Sequence, residues 1–263
     1  MRGWAVAALD LVFPACCPVC AATLGAGRRD PLCGACWDGI ARVEPPFCER
    51  CGLPFMGGPD MAPPTPQRSE RPGEPVALVE IADHRDDVAG TCGMCAVAPP
   101  VFDWARAAGL YAGPLRDAVQ RLKFGRRPAL ARPLAALVLE QCAAAVPVGA
   151  VLVPIPLARE RERERGFNQA ALVAERVARG LGAPLFPRWL ARTRATAPQT
   201  ELDAAARRAN VRGAFVASTA AAGADVVLVD DVLTTGATAG ECARALRAAG
   251  ANSVGLLTVA RVL

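Results

Sequence analysis

Histidine is nearly absent from this 263-residue chain, which has one, and aromatic residues make up only 5% of it. Few aromatics means few platforms on which unpaired bases could stack. The one histidine, His84, lies in a polar stretch and is expected to be an exposed loop residue; a substitute metal ligand is the competing reading. Long hydrophobic runs are missing too, and a membrane-spanning helix needs about 20 apolar residues. The opening segment "MRGWAVAALDLVFPACC" lacks the marks of a secretion signal. Asp10 interrupts its apolar run, Arg2 is its one basic residue, and no small-x-small site precedes Cys16. It is expected to be a short amphipathic helix packed on the body, with the cytoplasm as the compartment and no membrane insertion. Charge of one sign is also scarce. Thirty Lys+Arg against 25 Asp+Glu leave +5, which suits an anionic ligand or nucleic acid but is also ordinary background.

Cysteine, by contrast, is abundant and unevenly placed: eleven residues, all but Cys142 and Cys242 lying before residue 96. Four CxxC pairs stand in series, Cys17/Cys20, Cys33/Cys36, Cys48/Cys51 and Cys92/Cys95. A CxxC turn aims two thiolates at one tetrahedral Zn²⁺, and two such turns close a structural site. Two Cys₄ zinc sites are therefore expected. Pairing the first two turns and the last two is simplest, and the spacing also leaves an interleaved, ribbon-like pairing open. Disulfides are the usual alternative in a Cys-rich segment, but CxxC is a poor disulfide spacing and no secretion signal accompanies it. Closed Cys₄ sites hold structure and leave no coordination position for catalysis. Cys16 is assigned no ligand role, and Cys142 and Cys242 read as small buried apolar residues.

Between the third and fourth turns runs a Pro/Gly/charge-rich insertion, about residues 53–91, with a short extended piece expected at Val76–Ile81. Closing so long a loop costs only slightly more than closing a short one. The composition shifts near residue 98, so the chain divides into a Cys-rich module, 1–98, and a second domain, 99–263.

In that second domain, apolar spacing of three to four predicts helices over Pro114–Leu122, Ala129–Ala145, Asn168–Leu181 and Thr238–Ala249. Short apolar runs predict strands at Ala150–Pro156, Gly213–Ser218, Val226–Asp230 and Ser253–Arg261. The alternation implies an α/β fold, a parallel sheet flanked by helices, with ligands bound beyond the carboxyl ends of the strands. At that end stands "VVLVDDVLTTGAT", Val226–Thr238. Its turn gathers N–H groups, hydroxyls and a helix N-terminus, a place that favours a phosphate. Carboxylates beside it would repel phosphate, so they fit sugar hydroxyls or a magnesium ion. A phosphorylated ribose satisfies both demands. The plainer reading, a strand ending in polar helix-capping residues, accounts for one aspartate better than for two.

This stretch resembles the phosphoribosyl-pyrophosphate (PRPP) motif of type I phosphoribosyltransferases. "LKFGRRP" (122–128), "VPIPL" (153–157), "RGFNQA" (165–170) and "RTRATAPQTELDAAARRANVRGAF" (192–215) further resemble the ComF family of competence-associated phosphoribosyltransferase-like proteins. The resemblance implies a type I phosphoribosyltransferase-like sheet preceded by a Cys-rich double zinc-ribbon module, and it covers the chain apart from the insertion. It implies that Asp230 and Asp231 contact the ribose hydroxyls and that Thr234, Thr235, Gly236, Ala237 and Thr238 hold the 5′-phosphate. Pro154, Ile155 and Pro156 would form the pyrophosphate loop. Residues 192–212 would form a hood, with Gln199 and Arg208 on its acceptor side. Asp230, Asp231 and Arg165 would carry catalysis, with Mg²⁺ arriving with PRPP. Arg159 and Arg163 are further candidates for the pyrophosphate side, although the alternating signs of "RERERERG" also suit a solvated helix. Phe167 and Asn168 would position the loop, Asn168 doubling as a helix cap. Lys123 and Arg126 would touch an acceptor or nucleic acid, or form a basic surface turn.

Two functions are compatible with these residues. One is an enzyme or sensor of PRPP linked to DNA uptake or processing. The other is a non-catalytic competence protein handling single-stranded DNA, with a remnant or regulatory PRPP site.

Overall fold

The computed structural model describes residues 15–25, 30–55, 90–194 and 209–263. Residues 1–14 of the opening segment, Val76–Ile81, His84, Gln199 and Arg208 lie outside these residues.

Among the described residues, six strands follow in chain order: β1 (Trp104–Leu110), β2 (Val151–Pro154), β3 (Leu190–Arg192), β4 (Phe215–Ala217), β5 (Asp225–Leu233) and β6 (Ser253–Arg261). β1, β6, β5 and β2 form, in that order, an all-parallel sheet. The helices are α1 (Gly34–Asp38), α2 (Gly93–Val97), α3 (Gly113–Lys123), α4 (Ala131–Cys142), α5 (Arg159–Arg165), α6 (Gln169–Leu181) and α7 (Ala237–Ala248).

The helices form where one face is apolar. In α3, Pro114 starts the first turn and Leu115, Ala118, Val119 and Leu122 are buried at three-to-four spacing. In α6, Asn168 caps the N-terminus and Gly182, at φ 65°, ends the helix in the left-handed region that a side chain disfavours. The central strands are covered on both faces and read as nearly continuous apolar runs, as parallel strands do. Val227, Val229, Leu257 and Val259 pack with α4 and α6 on one face. Val226, Leu228, Val254 and Leu256 pack with α7 and with β3 and β4 on the other.

Several elements differ from the sequence reading. β1, "WARAAGL", was not anticipated because it lacks the β-branched residues that mark strands. Its pairing with β6 makes it a strand, and the Trp104 indole lies over Gly255, where a Cβ would come within 2.3 Å of the ring. The Gly213–Ser218 strand shortens to β4 and leaves the parallel sheet, pairing antiparallel with β3. The expected helix over Ala129–Ala145 is α-helical only over α4, with a 3₁₀ turn at each end.

The Cys-rich segment is packed into this sheet. Cys17, Cys33 and Cys36 share one core with Leu115, Leu122 and Leu134. Leu110 N–H donates to the Ala41 carbonyl at 2.8 Å, so residues 41–43 cover the free edge of β1. At the opposite edge, Leu152 exchanges hydrogen bonds of 2.9 Å with Pro184 and Phe186. Each edge is thus paired over part of its length, which blunts it against a foreign strand. Arg106 of β1 donates to the Glu49 carbonyl at 2.8 Å, and Arg261 of β6 donates to the Cys51 carbonyl and faces its sulfur at 3.5 Å.

Candidate functional site

β5 does not stop at Asp230. It stays paired with β6 through Leu233, with Asp230 opposite Thr258, Val232 opposite Ala260 and Leu233 opposite Arg261. Both aspartates therefore lie within the strand, and adjacent strand residues point to opposite faces. Asp230 shares its face with Val226 and Leu228, and Asp231 shares the other with Val227 and Val229. The chain then turns through Thr234 and Thr235 to Gly236, which caps α7 at φ 72°. Only that residue type takes this conformation without strain. Thr235 Oγ1 accepts from Ala237 N–H at 3.4 Å, and Thr234 and Thr235 are exposed.

This turn forms one wall of a cavity of about 740 Å³, well inside the range of small-molecule sites. Asp230 and Asp231 line its floor, Ile155 and Pro156 a second wall, and Arg161, Arg165 and Arg192 bring positive charge to it. Of the residues expected to form the pyrophosphate loop, Pro154 is instead the buried last residue of β2.

Asp231 is 4% exposed, and its Oδ1 lies 2.9 Å from Lys123 Nζ. Its Oδ2 is buried with no hydrogen-bond partner among the described residues, as is Thr258 Oγ1. Asp230 Oδ1 accepts from Asp231 N–H at 2.8 Å. Burial, then the charge of Asp231, pushes the Asp230 carboxyl up to about 7; that N–H bond, Lys123 and Arg192 oppose the rise.

Asn168 performs both roles expected of it. Its Oδ1 accepts from Ala170 N–H at 3.0 Å, capping α6, and its Nδ2 donates to the Ile155 carbonyl at 3.0 Å, fixing the loop after β2. Arg165 donates to Gln169 Oε1 at 2.7 Å and lies 5.0 Å over the Phe124 ring. Burial lowers its pKa from the usual arginine value, and the charge of Asp231 acts the other way. Arg126 donates to the Glu164 carbonyl at 2.6 Å.

The structure gathers Asp230, Asp231, Thr234, Thr235, Gly236, Ala237, Thr238, Ile155, Pro156 and Arg165 around the cavity. Arg159 and Arg163 are exposed on α5, away from it. Arg161, which sequence reasoning passed over, is the arginine that joins Arg165, and the signal was present: residues four apart share a helix face. Arg192, the first residue of the expected hood, lines the cavity; Thr258 and the pairing of Lys123 carried no such signal, because tertiary packing alone brings them in.

The eight cysteines fall into two clusters, Cys17, Cys20, Cys33, Cys36 and Cys48, Cys51, Cys92, Cys95, each with all sulfurs within 4.8 Å of one another. The consecutive pairing is the one adopted. Close sulfur pairs stand 3.5–3.9 Å apart, far beyond a disulfide bond. A tetrahedral zinc with bonds of about 2.3 Å sets its sulfurs about 3.8 Å apart. Cys36 N–H points at Cys33 Sγ, and Cys51 and Cys92 N–H at Cys48 Sγ, at 3.3–3.5 Å, as donors to thiolates would. Both clusters fit structural zinc.

A parallel sheet with its PRPP-type turn, preceded by two Cys₄ clusters, defines a phosphoribosyltransferase-like protein with a double zinc ribbon. The family models agree: residues 8–71 match the double zinc ribbon domain and residues 168–263 the phosphoribosyl transferase domain. Cys92 and Cys95 lie beyond the ribbon match, displaced by the insertion. The chain is 31% identical over 258 residues to "DNA utilization protein YhgH" of Salmonella typhi, covering 96% of this chain and 100% of that one. It is 33% identical over 178 residues to "Competence protein F" of Haemophilus influenzae, covering 65% of this chain and 78% of that one. The chain belongs to the ComF family. Among solved structures it is similar to the glutamine PRPP amidotransferase from B. subtilis complexed with ADP and GMP. There the TM-score is 0.38 at 21% identity, over 54% of this chain and 30% of that one.

Proposed function

We propose that the cavity binds Mg·PRPP and that the protein transfers or senses a phosphoribosyl group in DNA uptake or processing. The observation that carries this reading is one cavity holding both an acidic pair and a hydroxyl-rich turn at a helix N-terminus. The N–H groups of the turn and the helix dipole converge on an anion there. Ionised carboxylates only accept hydrogen bonds, so beside a phosphate they call for hydroxyl donors. A 5-phosphorylated ribose carries both.

On this reading Thr234–Thr238 receive the 5′-phosphate, the ribose lies against the acidic pair, and the pyrophosphate faces Ile155, Pro156 and Arg165, with Arg161 beside them. Magnesium enters as part of the substrate, held by pyrophosphate oxygens. In transfer, the C1–O bond to pyrophosphate breaks with its electron pair going to the departing oxygen, the acceptor's nucleophile bonds to C1, and the acceptor's proton passes to the released pyrophosphate. The charge that grows on the departing pyrophosphate is where fixed guanidinium groups act. Gln199 and Arg208 are assigned to the acceptor side. The names of the two relatives support a place in DNA handling. Single-stranded DNA and competence proteins are the partners, and the cytoplasm the compartment, that this reading expects.

Calorimetry tests the reading. Wild type is expected to bind Mg·PRPP and Asp230→Asn/Asp231→Asn to bind at least about tenfold more weakly. Absence of binding by wild type would overturn it. Pyrophosphate release with a screen of acceptors separates transfer from sensing.

A further inference from the structure

The ion pair between Asp231 and Lys123 is sheltered, with side chains 6% and 18% exposed. Pairs so placed bring little net stability, because desolvation offsets attraction. What this one does is set by where Lys123 sits. It is the last residue of α3 and leads into the turn Phe124–Arg127. Phe124 of that turn carries the Arg165 guanidinium on its ring, and Arg126 holds the Glu164 carbonyl at the end of α5. The turn and the end of α5 are two sides of the cavity mouth. The charges acting on Asp231 are Lys123 from α3, Arg165 from α5 and Asp230 beside it on β5. Asp230, on the opposite face of the strand, forms no ion pair with α3 among the described residues, although the charge of Lys123 also reaches it. It adjoins Thr258, whose buried hydroxyl lacks a partner among the described residues.

We infer that the two aspartates divide the work: Asp230 meets the ribose, while Asp231 is a positioning residue that acts through Lys123 to seat the Phe124–Arg127 turn and Arg165. The part played by Asp230 rests on the PRPP reading; the seating by Asp231 does not.

A double-mutant cycle reads the coupling. Lys123→Met and Asp231→Asn are each expected to weaken Mg·PRPP binding about tenfold, and the double variant to be no weaker than the worse single, as for residues that act as a unit. Lys123→Arg restores binding to within about threefold of wild type. In the ligand-free protein, hydrogen exchange in peptides covering 122–128 and 159–168 is expected to rise in both single variants and to stay at the wild-type level in Asp230→Asn. The inference is overturned if Asp231→Asn loses binding while Lys123→Met does not, if the losses multiply, or if exchange is unchanged. Should Asp231→Asn not fold, Lys123→Met alone decides: unchanged binding and exchange reject the inference. If wild type fails to bind Mg·PRPP, the functional reading falls, and the exchange pattern still judges the seating.

Discussion

Asp230 ionises against its own burial and the neighbouring charge of Asp231, with Lys123 and Arg192 pulling the other way. An unfolded aspartate titrates near 3.9, so the folded chain holds this proton more tightly. The stability gained is fully present below that value and is lost as pH rises to about 7. Asp230→Asn is therefore expected to raise stability over wild type by about 1–3 kcal/mol at pH 8 and to leave it unchanged near pH 4. Urea midpoints at the two pH values check this, and an equal effect at both would contradict the assignment. At this scale the sequence showed which residue types gather. It did not show that Asp231 would be held by Lys123, because that partner comes from a distant helix end and no local pattern points to it. Arg161 is legible from helical spacing, since it lies four residues before Arg165.

At the scale of elements, Asn168 joins two: it caps α6 and fixes the loop after β2. Asn168→Ala removes both bonds and is expected to cost about 1–2 kcal/mol in denaturant unfolding. Asn168→Asp keeps the capping acceptor and loses the donor to Ile155, so about half that cost is expected. Equal losses would mean that the cap contributes nothing. α3, α6, α7 and β6 followed from apolar periodicity and end signals almost to the residue. β5 did not, since aspartates are poor strand formers and suggested a strand end. Continued pairing with β6 overrode that preference, and the same extension sends the two carboxylates to opposite faces. β1 was hidden by its alanines and glycine.

For the whole molecule, the ribbon and the sheet share a core, so the zinc sites are expected to bear on the stability of both. Metal analysis should find two zinc ions per chain, and one in Cys92→Ser/Cys95→Ser. Gly52, at φ 69°, abuts the sheet so closely that a Cβ would lie 2.6 Å from the Ala105 carbonyl oxygen. Gly52→Ala is expected to destabilise the protein by about 2–4 kcal/mol, from overpacking and a strained backbone together. A loss below about 0.5 kcal/mol in the thermal or denaturant midpoint would mean that the ribbon is not pressed against β1. The presence of two Cys₄ sites was legible from four CxxC turns. Their consecutive pairing was the simplest reading, and the sulfur clusters decide for it against the interleaved one.

The central claim is that the β5–α7 junction clasps a sugar phosphate. A crystal structure with Mg·PRPP bound tests it most directly. The 5′-phosphate is expected within hydrogen-bond distance of N–H groups in Thr234–Thr238, with ribose hydroxyls against Asp230. A turn left vacant at saturating ligand, or a phosphate bound elsewhere, would contradict the account.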